Sequence, residues 1–499
     1  MDMPNLILDC RNDRGQGAPR NWIRRAAMLV VVSATSLAAA SRSAAGPPNI
    51  VFILADDLGY GELGCYGQRI IRTPQLDRLA AEGLRFTQFY AGSTVCAPSR
   101  SVLMTGRHVG HTRVRGNAGR DNPQAQMLRA DDVTVAEVLK AAGYTTGLVG
   151  KWGLGEPTGN KQGLPGKHGF DYFFGYLKQG HAHNYYPDYL WRNEAKVKFP
   201  NVISEDPALN HNVATKKVKY SHDLFASDAL KFVRDHKDGP FFLYLAFTIP
   251  HANDEAGDKG MEVPSRGQYE KLDWPEPQKG HAAMISRMDG DIGRLLDLLQ
   301  KLKIDDNTLV IFTSDNGPHK EGGNNPDFND SNGPLRGYKF AVTEGGIREP
   351  FIARWPGRIP AGKTTNSPIY FGDIMPTLAA LSGAHAPANL DGVDFSPTLF
   401  GSQQPELADR FLYWEFNRDG LQAQASRWKN WKAIRYTKAN KTELYDLATD
   451  IGEEHNVAQD HPDIVAKFDN FLSCARVDTA EWPTKLQARR AKTPSAAAL

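Results

Sequence analysis

Three carboxylates and an amide, Asp56, Asp57, Asp315 and Asn316, form two short clusters, each following an apolar run. Oxygen donors of this kind suit one hard divalent cation, Ca2+ or Mg2+. A third cluster, Cys96-Ala97-Pro98-Ser99-Arg100, is followed by Thr105-Gly106-Arg107. Residues 99–103 predict the start of a short helix with Pro98 suited to its first turn. Free N–H groups and the positive dipole end would then face an anion near Cys96, with Arg100 one turn along. Taken singly, each cluster is bland. A lone Cys beside a turn Pro is most often a buried structural thiol, and Asp-Asp or Asp-Asn-Gly at a strand end is most often a turn. Their joint presence, with Lys151 and His251 also placed after apolar runs, points to a site that holds a cation and an anion together.

The elements needed to position these residues are legible. Asn49 to Ala55 is an apolar run of strand length that stops at Asp56-Asp57. Thr134 and Glu137 form a capping box ahead of Val135, Val138, Leu139 and Ala142, Gly143 stops that helix, and Thr146 to Val149 predicts the next strand. Phe241 to Thr248 predicts a strand ending near Pro250-His251. Met288, Ile292, Leu295, Leu296, Leu299 and Leu302 fall at helical spacing before a strand at Thr308 to Thr313. This alternation predicts an α/β domain with a mostly parallel sheet flanked by helices. Ligand sites in such sheets lie off the carboxyl ends of the strands, where Asp56-Asp57, Lys151, His251 and Asp315-Asn316 all stand.

Cys96 to Arg100 resembles the C-x-P-S-R signature of the type I sulfatases, whose Cys is oxidised to formylglycine, an aldehyde that hydrates to a geminal diol. Ala55-Asp56-Asp57-Leu58-Gly59-Tyr60-Gly61 and Thr313-Ser314-Asp315-Asn316-Gly317 resemble that family's two metal motifs, and Gly150-Lys151-Trp152 its second signature. Arg336 through Lys339 with Glu344 to Pro350, and Glu443 to Leu447 running on to Glu453, Glu454 and Asn456, resemble later family segments. The resemblance implies an alkaline phosphatase-like fold and hydrolysis of sulfate monoesters. It implies a formylglycine nucleophile and metal contact at Cys96, and calcium, with magnesium possible, at Asp56, Asp57, Asp315 and Asn316. Arg100, Lys151 and Lys339 would clamp sulfate oxygens, His251 would protonate the leaving alcohol, and Asp315 would accept a proton from the diol. One diol oxygen would attack sulfur, the alcohol would leave, and the second hydroxyl would expel sulfate as the aldehyde re-forms. A formylglycine-generating or anaerobic sulfatase-maturating enzyme is the implied partner.

The sequence departs from the family pattern at Gly153, where G-K-W-H-x-G would carry His. His181 and His183, in Gln179 to Pro187, are the expected substitutes; on a strand the two would point the same way. Aromatic faces beside His and Asn in this stretch suit a sugar ring, and with Gly169 to Tyr176 and the Gly153 variant they resemble a bacterial carbohydrate-sulfatase branch acting on galactose-type sugars.

At 499 residues and net charge +2, the chain has no global charge that would mark nucleic acid or an acidic polymer as a partner. Arg20, Arg24 and Arg25 precede the apolar run Ala26 to Ala40, a pattern that predicts a signal peptide over residues 1–45, export to the periplasm or medium, and no stable membrane insertion once it is cleaved. Its removal deletes Cys10. Cys65, Cys96 and Cys474 then remain; with Cys96 converted to formylglycine, Cys65 and Cys474 are the possible pair, and no Cys/His spacing fits structural zinc. The expected organisation is a catalytic domain over residues 46–401, a smaller C-terminal domain with an antiparallel sheet and a helix over 402–486, and a tail over 487–499. The alternatives are a phosphonate or phosphate ester hydrolase of the same superfamily and a catalytically silent glycan-binding protein.

Overall fold

The computed structural model describes residues 46–117, 123–159, 161–418, 420–439 and 441–484. The expected leader over 1–45 and tail over 487–499 lie outside them. Along the chain run β1 (Asn49–Asp56), β2 (Leu84–Tyr90), β3 (Thr145–Lys151), β4 (Tyr172–Tyr176), β5 (Tyr189–Arg192), β6 (Ala195–Lys198), a small ribbon of β7 (Val202–Ile203) and β8 (Ala214–Lys216), then β9 (Phe241–Pro250), β10 (Thr308–Ser314), β11 (Arg348–Arg354), β12 (Lys363–Thr365) and β13 (Ile369–Tyr370). All but the ribbon form one sheet in the order β12-β2-β11-β10-β1-β9-β3-β4-β5-β6, with β13 beside β2. The neighbours β10, β1, β9, β3 and β4 are parallel. Strand β11 is antiparallel to both β10 and β2, so β2 runs with the parallel set.

Every residue of β1, β9 and β10 is buried, which is why these segments read as unbroken apolar runs rather than alternating ones. Helices cover both faces, dividing the core into two large clusters. Helix α1 (Pro74–Ala81) packs against the long helix that precedes β10, Glu276–Lys301. Helix α2 is Cys96–Thr105 and α3 is Val135–Ala141. The predicted capping box of α3 is present: Thr134 Oγ1 accepts from Glu137 N–H at 3.3 Å and Glu137 Oε2 accepts from Thr134 N–H at 2.9 Å. Thr134→Ala should lower unfolding stability by about 1 kcal/mol, read as an earlier urea midpoint.

Four strands, β14 (Leu412–Asn417), β15 (Leu421–Trp428), β16 (Trp431–Tyr436) and β17 (Lys441–Asp446), form the expected antiparallel sheet, closed by the helix Pro462–Cys474. This sheet shares its core with the larger one: Leu412, Trp414, Ile434 and Leu472 belong to the same cluster as Phe86 and Tyr90. Trp414 Nε1 donates to the Ala91 carbonyl at 2.8 Å, and Lys432 Nζ meets Glu344 and Glu453 at 2.8 and 2.9 Å. The smaller sheet therefore buttresses the turn that leads from β2 into α2. Cys65 and Cys474 are not joined by a disulfide, so the pairing left open by the sequence is not made. Among the described residues, no helix is long and apolar enough to cross a membrane.

Candidate active site

The parallel run of β2, β10, β1, β9 and β3 brings five chain segments to one edge of the sheet. Asp56 ends β1, Lys151 ends β3, His251 follows β9 and Asp315 follows β10. Cys96 opens α2 a few residues beyond β2. The helix begins at Cys96 rather than at the expected Ser99, with Ser99 N–H making the first bond back to Val95 at 3.2 Å. Pro98 fits there because the N–H groups of a helix's first turn have no partner in any case. Gly150 lets β3 reach the site: at φ 114°, its place for a Cβ lies 1.9 Å from the Ala246 carbonyl oxygen. Asp57 adopts a left-handed φ of 66°, and the turn beyond it is held by Glu62, which accepts from Gly59 N–H at 2.9 Å, from Ser331 Oγ at 2.6 Å, and meets His281 at 2.5 Å.

The acids and cations interlock. Lys151 Nζ lies 2.6 Å from Asp56 Oδ2. Arg100 donates from Nε to Asp315 Oδ2 at 3.0 Å and from Nη1 to the Lys151 carbonyl at 2.8 Å. Lys339 Nζ reaches Asp57 Oδ2 at 2.9 Å, Glu321 Oε2 at 2.7 Å and His251 Nε2 at 3.2 Å. Asn316 Nδ2 donates to Asp57 Oδ1 at 2.6 Å. Asp56, Asp57, Asp315 and Asn316 are all at most 1 % exposed. Burial works to raise the pKa of Asp56 and Asp57, but the cations prevail and hold both below the usual carboxylate range, Lys151 and Arg100 at Asp56 and Lys339 at Asp57. Burial and the neighbouring Asp56 charge push Asp315 up to about 7. Burial also raises the Cys96 thiol, so an unmodified Cys96 stays protonated and is a poor nucleophile.

Asp56 Oδ1 and Asn316 Oδ1 are buried acceptors with no hydrogen-bond donor. Two orphaned oxygens among three clustered carboxylates fit a hard divalent cation, which would satisfy both and neutralise the crowding that raises Asp315. Cys96 shares a ligand-sized group with Asp56 and Asp315.

His251 donates Nδ1–H to the Ala252 carbonyl at 2.6 Å, leaving the Nε2 lone pair toward Lys339 and, at 3.5 Å, toward Asp57. Burial and then Lys339 push its pKa well below the ordinary value. His183 and His181 do not lie on a strand; they occupy a 3-10 turn, Gly180–His183, closed by local backbone bonds with no partner strand, and they point apart. His183 stacks on His251 at 5.0 Å and bonds Glu255 at 3.0 Å, whereas His181 packs between Tyr176 and Tyr189. Neither occupies the space above Gly153. That space holds Gln179, whose Nε2 lies 2.3 Å from where a Cβ on Gly153 would stand.

Sequence reasoning missed several partners. Asn117 accepts from Ala97 N–H at 3.2 Å and donates to Cys96 Sγ at 3.6 Å. Glu321 and His319 lie in the loop after Asp315, and the acidic pair Asp254-Glu255 follows His251 closely; their nearness to recognised motifs was the available signal. Gln179 carried none.

Residues 48–384 match the family model described as Sulfatase, and residues 338–476 match N-sulphoglucosamine sulphohydrolase, C-terminal. The chain is 35 % identical to arylsulfatase A of Homo sapiens over 96 % of this chain and 95 % of that one. It is 34 % identical to N-acetylgalactosamine-6-sulfatase of Canis lupus familiaris over 86 % of this chain and 79 % of that protein. Among solved structures, Ps i-CgsB in complex with k-i-k-neocarrahexaose matches with a TM-score of 0.70 and 30 % identity, covering 88 % of this chain and 95 % of that one. A phosphonate monoester hydrolase of Agrobacterium radiobacter matches with a TM-score of 0.60 and 21 % identity, over 85 % of this chain and 95 % of that one, a likeness of fold alone.

Proposed function

Because this chain belongs to the sulfatase family of the alkaline phosphatase superfamily and is a sulfuric ester hydrolase, we propose that it removes sulfate from a carbohydrate, of galactose type, with a nucleophile made from Cys96 beside a calcium ion. The observation that carries this reading is the meeting at one buried point of Cys96, the acids with their two orphaned oxygens, and the cations Arg100, Lys151 and Lys339. Relatives named for N-acetylgalactosamine 6-sulfate and a neighbour bound to a neocarrahexaose support a sugar as the alcohol.

Asp56, Asp57, Asp315 and Asn316 would hold Ca2+, with Mg2+ possible, and the cation would neutralise charge on the sulfate oxygens. Cys96, once oxidised by a maturating enzyme, would supply the hydrated aldehyde whose oxygen attacks sulfur. Arg100, Lys151 and Lys339 would clamp the sulfate oxygens from buried positions, where preorganised charge stabilises the transition state most strongly. His251 moves the proton. With Nδ1–H committed to the Ala252 carbonyl, Nε2 is the nitrogen that would carry a proton from solvent to the departing oxygen, while Lys339, 3.2 Å away and held charged by Asp57 and Glu321, keeps its own proton. Residues 1–45 act as an export leader in this reading. The phosphonate hydrolase alternative has only the fold behind it, and a silent binding protein leaves the full set of cations unexplained.

The test is the mass of the tryptic peptide holding Cys96, from protein co-produced with a formylglycine-generating enzyme, alongside sulfate release from a panel of sulfated sugars. An aldehyde with sulfate release is the expected result; a converted protein silent toward every sulfate ester refutes the reading. His251→Ala should slow hydrolysis of an alkyl or sugar sulfate by about 10²–10⁴-fold and of an aryl sulfate, whose leaving group needs little protonation, far less. Equal losses on both would remove His251 from the proton path.

A further inference from the structure

A cavity of about 790 Å³ is lined by Gly153, two residues after Lys151, and by Glu255, which bonds His183, the ring stacked on His251. Its size suits one or two sugar rings. Two features of its wall bear on what enters.

The first is charge. Glu156, Asp188, Glu205 and Glu255 all line the cavity. Of the basic side chains on its wall, Lys178 is held by Glu156 at 2.8 Å, burial keeps His181 neutral, its pKa pushed down to about 4, and His211 Nδ1 lies 3.3 Å from the Ser204 carbonyl. The sulfate site presents Arg100, Lys151 and Lys339 to an anion while the cavity wall carries four carboxylates, so the two accept different parts of one ligand. A second sulfate or a uronate placed against this wall would meet like charge at close range. Carboxylates are instead suited to receive hydrogen bonds from hydroxyl groups.

The second is Gln179. It lines the cavity, yet its amide is folded over Gly153 with both Nε2 and Oε1 buried and without a hydrogen-bond partner. An amide with neither group bonded is held at a cost that a ligand offering both a donor and an acceptor can relieve by drawing it into the cavity. A sugar ring offers both on adjacent hydroxyls.

Resting on the sulfatase reading, we propose that this cavity binds an uncharged sugar residue of the substrate and that Gln179 is the residue that selects it, so that the enzyme prefers a saccharide carrying a single sulfate to one with further anionic groups on the neighbouring ring.

The test uses the converted, calcium-loaded full chain. Initial rates are measured on monosulfated neutral disaccharides, on the same disaccharides with a second sulfate on the adjoining ring, and on 4-nitrophenyl sulfate, too small to fill the cavity. The monosulfated compound should be preferred at least tenfold in kcat/KM, mainly through KM. Gln179→Ala should raise KM for it at least tenfold more than for 4-nitrophenyl sulfate. Glu205→Lys, at an exposed position, should narrow the preference over the disulfated compound. Equal or better turnover of the disulfated compound, or a Gln179→Ala loss of the same size on both substrates, overturns the proposal. Wild-type activity on 4-nitrophenyl sulfate shows that the sulfatase reading survives such a failure, and silence toward every ester overturns that reading and this inference together.

Discussion

Cys96→Ala is expected to reduce sulfate-ester hydrolysis by about five orders of magnitude, the scale on which enzymes lose activity when the nucleophile of a two-step mechanism is removed. The loss should be in turnover. Arg100, Lys151 and Lys339 are anchored to Asp315, Asp56 and Asp57 rather than to the thiol, so the sulfate clamp persists in the variant. The fold should persist as well, because the polar contact made by Sγ is a 3.6 Å approach from Asn117. The comparison is of kcat and melting temperature for the two proteins prepared with the same maturating enzyme, with the Cys96 peptide of the wild type weighed to establish conversion. A Cys96→Ala protein that still hydrolyses sulfate esters would remove Cys96 from the chemistry.

Asp315→Ala should abolish both cation binding and activity. Asp315 joins two parts of the site: Oδ1 accepts Asp57 N–H at 3.2 Å and Oδ2 takes Arg100 Nε and Nη2 at 3.0 and 2.8 Å. Burial and then the neighbouring Asp56 charge push Asp315 up to about 7, and a bound divalent cation would offset both by stabilising the charged carboxylates. Wild-type protein should therefore be stabilised by calcium, by about 2.7 kcal/mol at a free concentration one hundred times Kd, and a chelator should take this away. The Asp315→Ala protein should show no calcium-dependent shift in melting temperature. Asp315→Asn, which keeps the shape and removes the charge, separates loss of the ligand from loss of packing. Full activity of metal-free wild type would refute the site.

The parts legible in the sequence share a cause. Strands β1, β9 and β10 are buried on both faces, so their apolar runs are continuous and end where the chain turns polar, which is also where the sheet delivers its ligands. The capping box at Thr134 and the four short strands after Leu412 are local patterns with local physical origins. Errors arose where local rules leave a choice open. Pro98 is tolerated throughout the first turn of a helix, so it could not tell a start at Ser99 from one at Cys96. His181 and His183 could follow either a strand or a tight turn, and Gly180 with its backbone bonds took the turn, sending one ring to His251 and the other to Tyr189.

What the sequence determined by itself was the inventory: a Cys beside a short helix with Arg100, hard oxygen donors, Lys151 and His251 after strands, and Lys339, in an order that resembles one family from Asp56 to Asn456. What the tertiary structure decided was pairing and space. Glu321 on Lys339, Asn117 on Cys96, Glu255 on His183 and Gln179 over Gly153 join residues on different loops. Loop paths are set by packing against the whole sheet and by no local periodicity, so the contacts they make exist only once the chain has closed around its core.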